Sequence, residues 1–216
     1  MRRRDFRIAD HNTAICTTSQ HTPPPPKLWN CSNTICWANA LLQAMSATAI
    51  AGVSINPYAQ TNAMRKVMTL MLNGSEVSTK QVMSAVKGFG VGPSFGTQSM
   101  NPHLIRNMLE AAGLSDDLGV TKPMLCPMAT AFPRRCRYDV GTTVVAGVCL
   151  RLESEEDSGE DPDAMSSDDE ESPLRAVAYV FRSEKWYICD DNAIAELHGC
   201  MVARLRQCSV LFHVAV

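Results

Sequence analysis

The sequence predicts an α+β fold in which an N-terminal helical half, carrying a cysteine helix, packs against a C-terminal antiparallel β-sheet. Two observations support this prediction. Apolar residues recur at helical spacing up to Gly113, whereas β-branched and apolar runs separated by short turns dominate after about Leu118. The 216 residues are 45% apolar, which is enough to bury one substantial core, so we expect one domain with tails.

Residues 1–26 are predicted to form a disordered tail. This segment is polar, lacks periodicity and ends in four prolines, Pro23 to Pro26, which favour a stiff, extended spacer. The folded domain is therefore expected to span residues 27–216. No hydrophobic signal region follows the N-terminal Met-Arg-Arg-Arg, and no apolar run reaches the roughly 18 residues of a membrane helix. The sequence thus predicts neither secretion nor a membrane partner.

The cysteines favour a reducing compartment. They number nine, an odd count, and several lie in apolar strand-like runs. Together with the missing signal region, this usage predicts an intracellular protein, cytoplasmic or nuclear. No Cys-x-x-Cys pair occurs, and Cys126 and Cys136 lack the paired spacing of zinc ligands, so we expect no metal site and no other cofactor.

Acidic charge is concentrated in one segment. Eleven of the 22 acidic residues lie between Glu153 and Glu171, where no basic residue occurs. Residues 153–172 are therefore predicted to be a disordered, exposed insertion between two strands. Without this stretch the chain would carry about +9 (−2 plus 11), but its basic residues are not interleaved with aromatic ones, so no nucleic-acid partner is expected.

The pattern predicts four helices and four strands. The first helix begins at Cys36 after a polar cap, Asn33 or Thr34, and the other helices are marked by caps, an initial proline or terminal glycines. The two middle strands should form a hairpin around Ser183-Glu184. The remaining helices are expected at 61–72, 78–87 and 102–112, and the strands at 142–150, 176–182, 185–189 and 208–216.

Cys36 is the candidate nucleophile. The positive end of a helix dipole is expected to stabilise its thiolate, and the free N–H groups of the first helical turn can hold an oxyanion. The alternative is an ordinary buried cysteine at the start of a core helix.

Two stretches resemble a known family. Residues 36–43 (Cys-Trp-Ala-Asn-Ala-Leu-Leu-Gln) resemble the cysteine box of papain-like peptidases, as in ubiquitin-specific proteases and picornaviral leader proteases. Residues 176–180 and 185–191 resemble the histidine strand, hairpin and Trp-Tyr-x-x-Asp-Asp ending of these enzymes, and residues 210–212 resemble their closing strand. The resemblance implies a papain-like two-subdomain fold and a thiol peptidase or deubiquitinase that acts on a polypeptide or ubiquitin-like substrate.

The resemblance also assigns roles by position. Cys36 takes the position of the nucleophile, and Asp190, with Asp191 as its neighbour, takes that of the residue orienting the imidazole. Asn30 or Asn33 would be the oxyanion donor, although turn and capping duty is an equal alternative for both. The position of the histidine is occupied by Arg175, which stays protonated, is expected to pair with Asp190, and cannot return a proton to a leaving group.

Two functions therefore remain open. The intact Cys36 and Asp190 favour a peptidase that recruits another base, whereas Arg175 favours an inactive pseudoprotease that binds ubiquitin, a ubiquitin-like modifier or a polypeptide tail. The candidate bases are led by His198 and His213, with His103, His11 and His21 behind them.

Overall fold

The fold is α+β, as predicted. The computed structural model describes residues 22–31, 34–89, 102–114, 119–121, 136–139, 142–152, 174–199 and 201–215. Within these ranges four α-helices precede a seven-stranded sheet whose pairings are all antiparallel, and a short fifth helix precedes the last strand. Residues 1–21 and the acidic segment 153–172 lie outside the described residues. The finer expectation of a papain-like two-subdomain fold stays a prediction.

Side chains cap the second and third helices, whereas the first helix is an exception. The Thr61 side chain accepts the Met64 N–H at the start of the second helix, and Ser78 and Gln81 form a capping box at the third. The bounds are α1 Cys36–Ile50, α2 Asn62–Leu72, α3 Thr79–Val86, α4 Pro102–Ala111 and α5 Val202–Arg206. Sequence reasoning did not find α5.

The exception is the start of α1. Its N-cap is Ile35, which makes no side-chain cap bond, so the expected cap by Thr34 is wrong, and Asn33 lies outside the described residues. The Ile35 N–H donates instead to the Asn30 side-chain oxygen at 3.4 Å. The Asn30 side chain therefore supplies the acceptor for the backbone N–H just before α1.

The sheet contains each predicted strand and others besides. The strands are β1 Gly119–Thr121, β2 Cys136–Asp139, β3 Thr142–Leu152, β4 Leu174–Arg182, β5 Lys185–Asp190, β6 Ala193–Leu197 and β7 Val210–Ala215. Their order is β1-β7-β3-β4-β5-β6, with β2 pairing to β3. The predicted hairpin is confirmed: Ser183 and Glu184 have φ of 54° and 60°, the left-handed conformation that a two-residue turn requires.

Helix α1 lies at the centre of the molecule. Every residue from Cys36 to Thr48 is buried, and α1 packs on the face of β4 that presents Ala176, Ala178 and Val180. The two small alanines allow the helix to lie close to the strand. Helices α1 to α4 and this face of the sheet belong to one hydrophobic cluster, whereas a second cluster with α5 covers the other face. None of the helices in the described ranges is long and apolar enough to cross a membrane.

Part of the predicted tail is packed against the domain. We call residues 22–30 the N-terminal strap. Pro25 and Pro26 are buried, and the Gln43 side chain of α1 donates to the Pro26 carbonyl at 2.6 Å. Leu28 is fully buried and bridges to Val77. Composition alone suggested a spacer because prolines lack N–H donors, but their carbonyl oxygens remain acceptors and their rings are apolar.

Candidate active site

Cys36 and the predicted histidine position come together. Cys36 is the first residue of α1, and its side chain is buried, with 5% of the residue exposed. Its Sγ accepts the backbone N–H of Ala176 at 3.5 Å. Ala176 follows Arg175 in β4, so the end of this strand lies against the thiol.

Arg175 is held by two carboxylates. Its Nε donates to Asp190 Oδ1 at 2.7 Å, and its Nη2 lies 3.7 Å from Asp191 Oδ2. The expected ion pair between Arg175 and Asp190 is therefore present. The Arg175 side chain is one-third exposed, so water screens this pair and its contribution to stability is small.

Asp191 accepts hydrogen bonds through both of its carboxylate oxygens. Only 5% of its side chain is exposed. Its Oδ1 accepts the Asn39 amide at 2.6 Å, and its Oδ2 accepts the Asn30 amide at 2.9 Å. Sequence reasoning treated Asp191 as a neighbour of Asp190 and gave Asn39 no role. The available signal was the asparagine three residues after Cys36, which α1 places on the same side of the helix as the thiol.

Asn30 connects the strap to the site. Its amide nitrogen donates to Asp191, and its side-chain oxygen accepts the Ile35 N–H just before α1. The strap is also fixed by its backbone, since the Leu28 N–H donates to the Asp191 carbonyl at 3.2 Å. Asn30 thus lies at the site, as the resemblance implies. Its assignment as an oxyanion donor stays a prediction, as does that of Asn33, which lies outside the described residues.

The thiol is not activated in this arrangement. Burial raises the pKa of Cys36 above its ordinary value, and the negative charge of Asp191 adds to this effect. The N–H groups of Ala176 and Trp37 and the charge of Arg175 act in the opposite direction but do not outweigh burial. The N–H of Trp37 in the first turn of α1 thus favours the thiolate, as expected of the helix end, but burial outweighs it.

His198 lies far from the thiol. Strand β6 runs back along β5, with Ala193 opposite Asp190 and Leu197 opposite Trp186. The next residue, His198, is therefore level with Lys185, about 16 Å from Asp190 at ~3.3 Å per residue. This distance is too long for His198 to exchange a proton with Cys36.

His213 is remote in two respects. It pairs with Val144 of β3, whereas Arg175 pairs with Arg151, about 23 Å further along the same strand. Its neighbour Phe212 faces α1, so alternation directs His213 to the opposite face of the sheet. Burial lowers the pKa of His213. The side chain of His103 and the whole of His11 and His21 lie outside the described residues.

The described residues offer no metal centre. They contain no cluster of three or more His, Cys, Asp or Glu side chains able to hold an ion. Cys126 and the side chain of Cys136, the pair considered above for zinc, lie outside them. Five cysteines with described side chains form no disulfide: Cys31, Cys36, Cys149, Cys189 and Cys208.

No protein-family model matches this sequence, and no curated protein matches it. The resemblance to papain-like peptidases therefore depends on the residues quoted above.

Proposed function

We propose that this chain is a peptidase-like protein that holds a polypeptide segment beside Cys36 without hydrolysing it. The main observation behind this proposal is the contact of Arg175 with Asp190. Arg175 directly precedes Ala176, whose backbone N–H donates to the Cys36 sulfur. A thiol hydrolase needs a base to take the thiol proton and an acid to return it to the leaving group. A guanidinium serves neither purpose near neutral pH.

The state of the thiol supports the same proposal. Burial keeps the pKa of Cys36 high, and a protonated thiol is a poor nucleophile. The histidines whose side chains the structure describes, His198 and His213, lie too far along the sheet to compensate. Neither of these two histidines can therefore restore the missing base.

The class of partner comes from the resemblance to papain-like peptidases, which act on polypeptides and ubiquitin-like modifiers. The N–H groups of Ala176 and Trp37 face the Cys36 sulfur, so the site presents backbone donors of the kind that bind a polypeptide carbonyl. We therefore propose ubiquitin, a ubiquitin-like modifier or a polypeptide tail as the partner.

The second candidate is an active thiol peptidase. It is supported by the arrangement of the remaining groups. Cys36 is the first residue of α1, and Asp190 is the last residue of β5 and contacts Arg175. Both occupy the positions that the resemblance assigns. This candidate requires a base other than His198 and His213.

Reaction with a ubiquitin-derived electrophilic probe and turnover of a fluorogenic ubiquitin substrate distinguish the two functions. We expect the wild type to bind ubiquitin in a direct titration without turnover, and Arg175→His to acquire turnover that Cys36→Ala in the same background abolishes. Arg175→Gln is the matched control, because it removes the cation without supplying a base. Turnover by the wild type that is lost in Cys36→Ala would establish the peptidase instead. If ubiquitin, ubiquitin-like modifiers and a peptide library all fail to bind, the proposed function is wrong.

A further inference from the structure

The carboxylate that contacts the first turns of α1 belongs to Asp191. We propose that the charge of Asp191, held in place by Asn39 and Asn30, adds to burial in keeping the Cys36 thiol unreactive. This inference rests on the proposed function only in taking Cys36 as the centre of the site. It assigns to Asp191 a role distinct from that of Asp190, the carboxylate that pairs with Arg175.

Geometry places the Asp191 charge close to the thiol. Asn39 lies three residues after Cys36 on α1, so both side chains lie on the same side of the helix. The 2.6 Å bond from Asn39 to Asp191 Oδ1 therefore brings the carboxylate against the first turns of this helix. Because Asp191, Asn39 and Cys36 are all buried, little water separates the carboxylate from a forming thiolate. Two negative charges in such a setting repel each other strongly.

Hydrogen bonds to its side chain and backbone hold Asp191 in place. Both carboxylate oxygens accept amide hydrogens, and its backbone carbonyl accepts the Leu28 N–H of the strap. Asn39 also donates to the Leu28 carbonyl, at 3.4 Å. With a φ of 51°, Asp191 occupies the left-handed region at the end of β5, which turns its side chain out of the strand pattern. The strap, α1 and β5 thus hold the carboxylate together.

Arg175 offsets the Asp191 charge only in part. It makes its 2.7 Å bond to Asp190 and lies 3.7 Å from Asp191, so two carboxylates share its guanidinium. The charge of Arg175 accordingly lowers the pKa of Cys36 less than the charge of Asp191 raises it.

The rate of alkylation of Cys36 by iodoacetamide, followed by mass spectrometry of the Cys36 peptide across pH, tests the inference. We expect Asp191→Asn, which is nearly isosteric, to react about tenfold faster than the wild type at pH 7.5. The matched control Asp190→Asn removes the same charge from the next residue and should change the rate by less than about threefold. Equal acceleration in both variants, or an unchanged rate in Asp191→Asn, overturns the inference.

If Asp191→Asn does not fold, Arg175→Gln tests the inference instead. Arg175→Gln changes a one-third-exposed side chain and removes the cation that partly offsets Asp191. We expect it to slow alkylation of Cys36 at pH 7.5 by about fivefold, and an unchanged or faster rate overturns the inference. Alkylation requires no polypeptide partner. Alkylation rates therefore test this inference, whereas binding and turnover test the proposed function, so the two can fail separately.

Discussion

Strand β4 carries an arginine near each end, and the two have opposite environments. Arg182 is 1% exposed, and its Nη2 donates to the carbonyls of Met71 and Leu72 at the end of α2. Its other two guanidinium nitrogens have no hydrogen-bond partner among the described residues, and burial lowers its pKa to about 10. Arg175 is one-third exposed and contacts two carboxylates beside Cys36.

We expect the two arginines to serve different purposes, Arg182 in the fold and Arg175 at the candidate site. The positive charge of Arg182 lies at the carboxyl end of α2, where it interacts favourably with the helix dipole, and its side chain fills a buried position. Its contribution is therefore to the fold. Arg175 keeps contact with water and occupies the position that the resemblance gives to a histidine, so we expect it to act on the chemistry of Cys36. Substitutions at the two ends of β4 should therefore change different observables.

The largest expected effect is on stability at the Arg182 end. Arg182→Ala should lower the free energy of unfolding by about 3 kcal/mol, because it leaves a cavity and removes the bonds to the end of α2. Arg175→Ala, the matched variant at the other end, should cost less than about 1 kcal/mol, since its ion pairs are exposed to water. Urea denaturation measures both, and equal losses would contradict the separation. Arg182→Met would show how much of the loss is volume and how much is charge.

An intermediate effect is expected where α1 holds the strap and Asp191. Asn39→Ala removes the 2.6 Å bond to a buried carboxylate and should cost about 2 kcal/mol. Gln43→Ala, one turn further along α1, removes a bond of the same length to the uncharged Pro26 carbonyl and should cost about 1 kcal/mol. Thermal and urea unfolding compare the two variants. A larger loss for Gln43→Ala would show that the strap, rather than the carboxylate, dominates this end of the molecule.

The smallest expected effect is on the pH dependence of stability. Because burial raises the pKa of the Cys36 thiol, the folded protein keeps this proton at pH values where the unfolded chain loses it. The resulting stabilisation is complete below pH 9, the ordinary value for a thiol, and is lost as pH rises above it. Cys36→Ala should therefore lose less stability than the wild type between pH 8 and pH 10.5. The exposed Cys31 supplies the control, and Cys31→Ala should follow the wild-type curve.

The sequence by itself determined the elements of local origin. The cap at Ser78 and the Ser183-Glu184 turn depend on residues a few positions apart, and both lie where the pattern predicts. The proximity of Cys36, Arg175 and Asp190 was also readable, because the resemblance orders these positions along the chain.

Only the tertiary structure decided the roles that depend on distant partners. Asn39 and Asp191 are 152 positions apart, and no local rule pairs a helix amide with the second of two aspartates. The remoteness of His198 and His213 follows from strand β6, which was not predicted, and from the pairing of β7 with β3, which are distant in the sequence. The raised pKa of Cys36 has the same origin: the helix dipole can be read from the sequence, but burial, which outweighs it, arises only when β4 and the strap enclose α1.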